Sequence, residues 1–92
     1  MESRLYQNFP NPGNPSTTLR FALDRTGGVD LAIYNILGQR VKILIDEVLV
    51  KGEHAMLWDM TDVAGRAVPS GTYVCALTAN GRSQSIKIVV VR

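Results

Sequence analysis

The chain has 92 residues, of which 46% are hydrophobic and 20% are charged; this composition is typical of one globular domain and excludes intrinsic disorder and a second hydrophobic core. The formal net charge is only +2, and the Lys and Arg residues are scattered, so we predict no nucleic-acid-binding surface. No stretch approaches the ~20 consecutive apolar residues that span a membrane.

The first segment of the chain is rich in proline and asparagine. Residues 8–16 hold three of the four prolines, and each proline fixes its own φ and pushes the preceding residue toward extended geometry. Leu5, Tyr6 and Phe9 provide apolar anchors that a flexible linker would lack. We therefore predict that residues 1–17 form a rigid strip packed on a body of residues 18–92, and that the two make one domain.

Short runs with period-two alternation follow the strip, each bounded by turn residues, which is the pattern of half-buried β-strands. Residues 36–44 also fit a helical spacing loosely, but Gly38 and the β-branched residues weigh against a helix. About seven short strands predict an antiparallel sandwich or a small barrel. The alternating positions are Leu19, Phe21 and Leu23; Val29, Leu31 and Ile33; Val41, Ile43 and Ile45; His54, Met56 and Trp58; Tyr73, Cys75 and Leu77; and Ile86, Ile88 and Val90.

Two local patterns refine this prediction to an immunoglobulin-like β-sandwich. Asn80-Gly81 is a strong hairpin signal, because both central residues of a type I′ turn need positive φ, and it makes the last two strands antiparallel neighbours. Gly71 and Tyr73 lie in a segment that resembles the tyrosine corner of immunoglobulin domains. We assign structural roles to these residues and to Trp58 as a core side chain, and with one cysteine the fold has no disulfide.

No catalytic arrangement is predicted. His54 is the sole histidine and Cys75 lies in an apolar strand, so no nucleophile and base are expected within reach of each other; the chain is predicted not to be an enzyme and to need no cofactor. Asp59 and Asp62 are weak calcium candidates, but such residues more often cap turns, and no metal site is predicted. Trp58 would be an aromatic binding platform only if a second exposed aromatic accompanied it.

Several motifs occur in a specific order along nearly the whole chain. Together they resemble the type A C-terminal sorting domain of the type IX secretion system and, more distantly, the immunoglobulin-like domain of flagellar hook-capping proteins. Gly13 and Cys75 depart from the family pattern, in which an aromatic residue is common at both positions, and Gly13 is expected to loosen the strip. The motifs are LYQNFPNP at 5–12, NPSTTLRF at 14–21, VDLAIYNILGQRV at 29–41, GEH at 52–54, WD at 58–59, SGTY at 70–73 and KIVVVR at 87–92.

The resemblance implies a non-catalytic sorting and anchoring module that is covalently part of a larger cargo protein. Its implied partners are the outer-membrane secretion translocon and the attachment machinery, its implied location is the cell surface or the medium, reached through the periplasm, and a monomer is expected. The alternative is a structural or adhesive spacer, binding carbohydrate or a surface, attached to an extracellular enzyme.

The predicted recognition segment is the closing run of the chain, formed by Lys87, Ile88, Val89, Val90, Val91 and Arg92. Its end is apolar on both faces, which is more than a half-buried strand requires. We expect an edge strand that pairs with a translocon strand, with Lys87 and Arg92 guarding it against self-association. Removal of residues 88–92 is expected to leave a folded cargo fusion in the periplasm.

Overall fold

The alternating runs form seven β-strands in the computed structural model, which describes residues 2–92. All strand pairings are antiparallel, and the strands form a three-stranded sheet in the order β1-β2-β5 and a four-stranded sheet in the order β4-β3-β6-β7. The predicted immunoglobulin-like sandwich is confirmed. The strands are β1 Arg4–Leu5, β2 Thr17–Leu23, β3 Gly27–Tyr34, β4 Arg40–Leu49, β5 Gly52–Trp58, β6 Gly71–Ala79 and β7 Arg82–Val90. Within residues 2–92, no helix has the length and apolar character needed to cross a membrane.

The core lies between the two sheets and takes every second side chain of most strands, because successive residues of a strand point to opposite faces. Complete burial of such a side chain contributes roughly 1.5–3 kcal/mol. The lone cysteine, Cys75, is one of these core residues and is free. The largest fully buried side chains are Trp58, Phe21, Leu19, Leu23, Leu31, Ile33, Met60, Leu77, Ile88 and Val90.

Strand β4 departs from the predicted alternation. Two register shifts in its pairing with β3 leave Leu44 and Val41 without a partner residue, and each such bulge moves the following side chains to the other face. Val41, Leu44 and Ile45 consequently pack against the core, whereas Ile43 is exposed. The expected single face formed by Val41, Ile43 and Ile45 is therefore wrong.

The two ends of the sandwich carry different parts of the chain. At the amino pole, residues 2–3 lie beside the β6–β7 turn: Ser3 Oγ and Asn80 Nδ2 both donate to Asp24 Oδ1, at 2.8 and 2.7 Å. The carboxyl pole holds the β3–β4 turn, the loop of residues 59–70 and residues 91–92. Strands of nine or ten residues separate the poles by roughly 30 Å.

Candidate recognition site at the closing strand

The predicted recognition segment, residues 87–92, comprises the end of β7 and the two residues that follow it. β7 is an edge strand of the four-stranded sheet. Ile88 and Val90 point inward and are fully buried, so they act as core residues. The side chains exposed on the outer face are Lys87, Val89 and Val91.

The N-terminal strip closes the outer edge of this segment. Strip residues occupy its outward-facing backbone groups with bonds from both main-chain and side-chain atoms. The prediction of a free edge is therefore wrong at residues 87–91, because pairing with another strand there would require the strip to leave. The bonds are Gln7 Nε2 to Lys87 O at 2.8 Å, Val89 N to Asn11 Oδ1 at 3.0 Å, Gly13 N to Val89 O at 3.0 Å and Val91 N to Gly13 O at 3.3 Å.

Gln84 joins the first half of β7 to the other sheet. Its Nε2 donates to the Ser3 carbonyl at 2.6 Å, and its Oε1 accepts from the Leu5 N–H at 2.9 Å. One carboxamide thus satisfies a donor and an acceptor on the exposed edge of β1. The side of the sandwich where β1 and β7 meet is closed by side-chain bonds instead of by a strand.

Gly13 holds the strip against the body. The residue is buried, and a Cβ there would overlap the Met60 Cε methyl group and lie 3.1 Å from Thr17 Cβ. The expectation that Gly13 loosens the strip is wrong, because the missing side chain is what allows this close approach.

A buried polar pair inside the strip was not predicted. Asn8 and Thr17 are almost completely buried. Asn8 Nδ2 donates to Thr17 Oγ1 at 2.8 Å, and Thr17 Oγ1 donates to Pro10 O at 2.8 Å, which satisfies the requirement that buried polar atoms be paired. The available signal was an asparagine placed between the apolar anchors Tyr6 and Phe9.

Arg92 ties the end of the chain to the loop of residues 59–70. Its Nε donates to Val68 O and its Nη2 to Met60 O, both at 2.5 Å, and its backbone N–H donates to Ser70 Oγ at 2.9 Å. A charged donor to a carbonyl forms a stronger bond than a neutral donor does. Arg92 therefore clamps the end of the chain to this loop, and the guarding role of Lys87 stays a prediction.

Trp58 and Tyr73 are stacked edge to face in the core, with ring centroids 5.7 Å apart. Trp58 Nε1 donates to Thr61 O at 3.0 Å, and the Tyr73 hydroxyl donates to Pro69 O at 2.7 Å. Both aromatic rings are therefore buried while the polar atom of each has a hydrogen-bond partner. Burial raises the pKa of the Tyr73 hydroxyl. Gly71 pairs with Val90 at the start of β6, which places the tyrosine corner beside the closing segment.

The two calcium candidates cap turns. Asp59 Oδ1 accepts from the hydroxyl and the N–H of Thr61, at 2.5 and 3.1 Å, and from Lys42 Nζ at 3.4 Å; the Thr61 hydroxyl is the main cause of the lowered pKa of Asp59. Asp62 Oδ1 accepts from the backbone N–H groups of Ala64 and Arg66, at 2.9 and 3.0 Å. Among residues 2–92, no three acidic, His or Cys side chains are arranged to hold a metal ion.

The sole histidine and the sole cysteine lie in different sheets. His54 Nε2 is 2.8 Å from Val50 O, and its ring stacks on Phe21 with centroids 5.4 Å apart. Cys75 is fully buried, and burial raises the pKa of its thiol to about 12. A buried, protonated thiol is a poor nucleophile, so this pair forms no catalytic arrangement.

Comparisons with known proteins identify the same family that the motifs of the sequence resemble. The sequence model of the family described as "Secretion system C-terminal sorting domain" matches residues 7–91. The chain is similar to dimeric latent PorU from Porphyromonas gingivalis, with 25% identity and a TM-score of 0.72, over 99% of this chain and 10% of that chain. No curated protein matches the chain.

Two further solved structures are similar. One is PorZ, a surface component of the type IX secretion system of P. gingivalis, with 26% identity and a TM-score of 0.58 over 98% of this chain and 11% of that chain. The other is FlgD from P. aeruginosa, which shares the fold with 20% identity and a TM-score of 0.59 over 80% of this chain and 60% of that chain. The chain spans about a tenth of the length of the PorU and PorZ chains.

Proposed function

The chain belongs to the family of secretion-system C-terminal sorting domains, and we propose on this premise that it directs a larger cargo protein through a type IX secretion system to the cell surface. The family match over residues 7–91 carries the proposal, and the similarity of nearly the whole chain to parts of PorU and PorZ supports it. In this proposal the domain is covalently part of its cargo, has no catalytic activity and acts as a monomer. Its partners are the outer-membrane translocon and the attachment machinery.

We place recognition on the outer face of the closing segment. Lys87, Val89 and Val91 are exposed there, next to the strip that occupies the edge of β7. Ile88 and Val90 support this face from the core, and Arg92 fixes its end to the 59–70 loop. A receptor can read the three exposed side chains without displacing any strand.

The strip is part of this proposed surface. We retain the proposal that a strip of residues 1–17 and a body of residues 18–92 form one domain, with Met1 outside the described residues. The bonds from Gln7, Asn11 and Gly13 to residues 87–91 support it, because they join the strip to a strand near the other end of the sequence.

A reporter protein fused in front of residues 1–92 tests this proposal in a bacterium that has a type IX secretion system. The wild-type fusion should reach the surface, whereas a fusion with Lys87→Glu, Val89→Ser and Val91→Ser should stay in the periplasm with an unchanged melting temperature of the domain. Retention of the wild-type fusion inside the cell would overturn the proposal. Deletion of residues 88–92 is not a suitable test, because it removes two fully buried side chains, Ile88 and Val90. We therefore expect the truncated domain to lose stability, contrary to the expectation from the sequence.

A further inference from the structure

The strip reaches the end of β7 through a loop whose own two ends are fixed elsewhere. Phe9 and Thr18 form an antiparallel bridge, with Phe9 N donating to Thr18 O at 3.1 Å and Thr18 N donating to Phe9 O at 2.9 Å. Pro10 O also accepts from Thr17 Oγ1 at 2.8 Å. Residues 10–16, which we call the cover loop, therefore start and end at one fixed base.

The cover loop holds the edge of β7 with hydrogen bonds and little buried apolar surface. Val89 N donates to Asn11 Oδ1 at 3.0 Å, Gly13 N donates to Val89 O at 3.0 Å, and Val91 N donates to Gly13 O at 3.3 Å. Within residues 10–15 only Gly13 is buried, and it has no side chain. Segments with few buried apolar contacts open most readily, so we expect the loop to leave β7 before its base opens.

Opening of the cover loop would free the backbone groups with which β7 can bind another strand. Val89 N, Val89 O and Val91 N all point away from β6, since their bonds run to the loop. Residues 86–91 are rich in β-branched side chains and include a single charge, which is typical of segments that associate through strand edges. The loop itself offers a further strand few donors, because Pro10 and Pro12 lack an N–H.

We propose that the cover loop prevents two copies of this chain from pairing through β7, and that opening of the loop allows a two-fold symmetric dimer. In an antiparallel pair centred on Val89, the N–H and C=O of Val89 in one copy meet the C=O and N–H of Val89 in the other. Lys87 then lies opposite Val91 of the second copy, so the two lysines do not face each other. The inference concerns the isolated domain and is independent of the proposed function.

This pairing is compatible with the rest of the fold. It joins residues 86–92 of the two copies and leaves the first half of β7 unopposed, so the bonds from Gln84 to Ser3 and Leu5 remain. Among the described residues, the bond from Gln7 Nε2 to Lys87 O is the one other contact of this edge that has to be broken. The dimer therefore exchanges the bonds of the cover loop for bonds between two copies of β7 and keeps both sheets.

The test compares the masses of purified domains in solution by light scattering. Asn11→Ala with Gly13→Leu detaches the cover loop, since the new side chain overlaps Met60 Cε and Val89 N loses its acceptor. Gly28→Leu is the matched control, because a Cβ at Gly28 meets no atom within 4 Å. The wild type and the control should keep the mass of one chain, whereas the detached variant should reach twice that mass as its concentration rises.

Two further measurements identify the surface that pairs. Val89→Pro in the detached variant removes an N–H that points away from β6, and proline is tolerated in edge strands, so this domain should return to the mass of one chain. In the detached variant without the proline, the N–H groups of Val89 and Val91 should exchange more slowly as the concentration rises, because dimer formation protects them. The exchange measurement identifies the surface even where the proline variant fails to fold.

Several outcomes would overturn the inference. One is a folded detached variant that keeps the mass of one chain at every concentration. Another is equal association of the detached variant and of either the wild type or Gly28→Leu, because the loop would then prevent nothing. A third is exchange at Val89 and Val91 that does not change while the mass doubles, which would place the contact elsewhere. Loss of the β-sheet circular dichroism signal in the detached variant would also overturn it, since the loop would then be part of the core.

Discussion

The backbone N–H of Gly13 donates to the carbonyl oxygen of Val89 at 3.0 Å, and this bond joins the N-terminal strip to the closing strand. The strip thereby occupies the place that a further strand of the sheet would take. Unpaired sheet edges promote association between chains, so a covered edge is consistent with the expected monomer. Under the proposed function, recognition then depends on the side chains that remain exposed beside the strip.

Gly13→Ala should destabilise the domain by about 1–3 kcal/mol, the usual cost of added volume in a packed site. The new methyl group would meet Met60 Cε and Thr17 Cβ. Urea denaturation gives the change in stability, and amide exchange at Val91 should become faster because its N–H donates to Gly13 O. Gly28→Ala is the control, since a Cβ at Gly28 meets no atom within 4 Å; equal losses for both variants would contradict the close packing of Gly13.

Tyr73→Phe should lower the free energy of unfolding by about 1 kcal/mol, the typical contribution of one hydrogen bond. The change removes the donor to Pro69 O and leaves the ring contact with Trp58 in place. Tyr34→Phe serves as a control, because the exposed Tyr34 hydroxyl accepts a bond from Arg40 at 3.2 Å and an exposed bond should contribute less. A loss at Tyr34 as large as at Tyr73 would argue against the tyrosine-corner bond.

Cys75 should be unreactive in the folded domain. With its pKa raised to about 12 by burial, the thiol at pH 8 is only about one part in ten thousand thiolate, the reactive form. Ellman's reagent should therefore give no signal with the native protein and one thiol after unfolding in guanidinium chloride, in line with the single cysteine. Rapid labelling under native conditions would show that Cys75 is accessible.

The stability of the domain should fall as the pH is lowered, and Asp24 should account for part of this fall. Bonds from Ser3, above all, and from Asn80 lower the pKa of its carboxyl below the ordinary value of 3.8. A carboxyl with a lower pKa in the folded state stabilises that state above the unfolded-state pKa, and the contribution disappears as pH falls through the folded-state pKa. Melting temperatures between about pH 5 and pH 2 should therefore drop less steeply for Asp24→Asn than for the wild type. Parallel curves would show that Asp24 does not contribute.

Local patterns in the sequence were sufficient for most of the sheets. Asn80 and Gly81 have φ values of 53° and 77°, as the predicted type I′ turn requires. The face of β4 was mispredicted because a bulge depends on the pairing with β3 and not on the composition of β4 itself. Strict alternation was assumed there, and Leu44 and Val41 break it.

The covered edge of β7 could not be predicted from local patterns either. It depends on contacts between residues far apart in sequence, such as Gln7 with Lys87, which are separated by 80 positions. The bonds that Asn35 Oδ1 accepts from the N–H groups of Leu37 and Gln39, which hold the turn after β3, were not predicted either. An asparagine three positions before a glycine, here Asn35 and Gly38, was the available sign of a rigid turn.

The separation of the two poles has a consequence for the proposed export route. Ser3 lies at the amino pole near Asn80 and Asp24, whereas Val89, Val91 and Arg92 lie toward the opposite end. Under the proposed function, a polypeptide joined ahead of Glu2 leaves the domain on the side turned away from its receptor. Steric interference by the passenger is then small, so the same receptor can accept passengers of very different bulk.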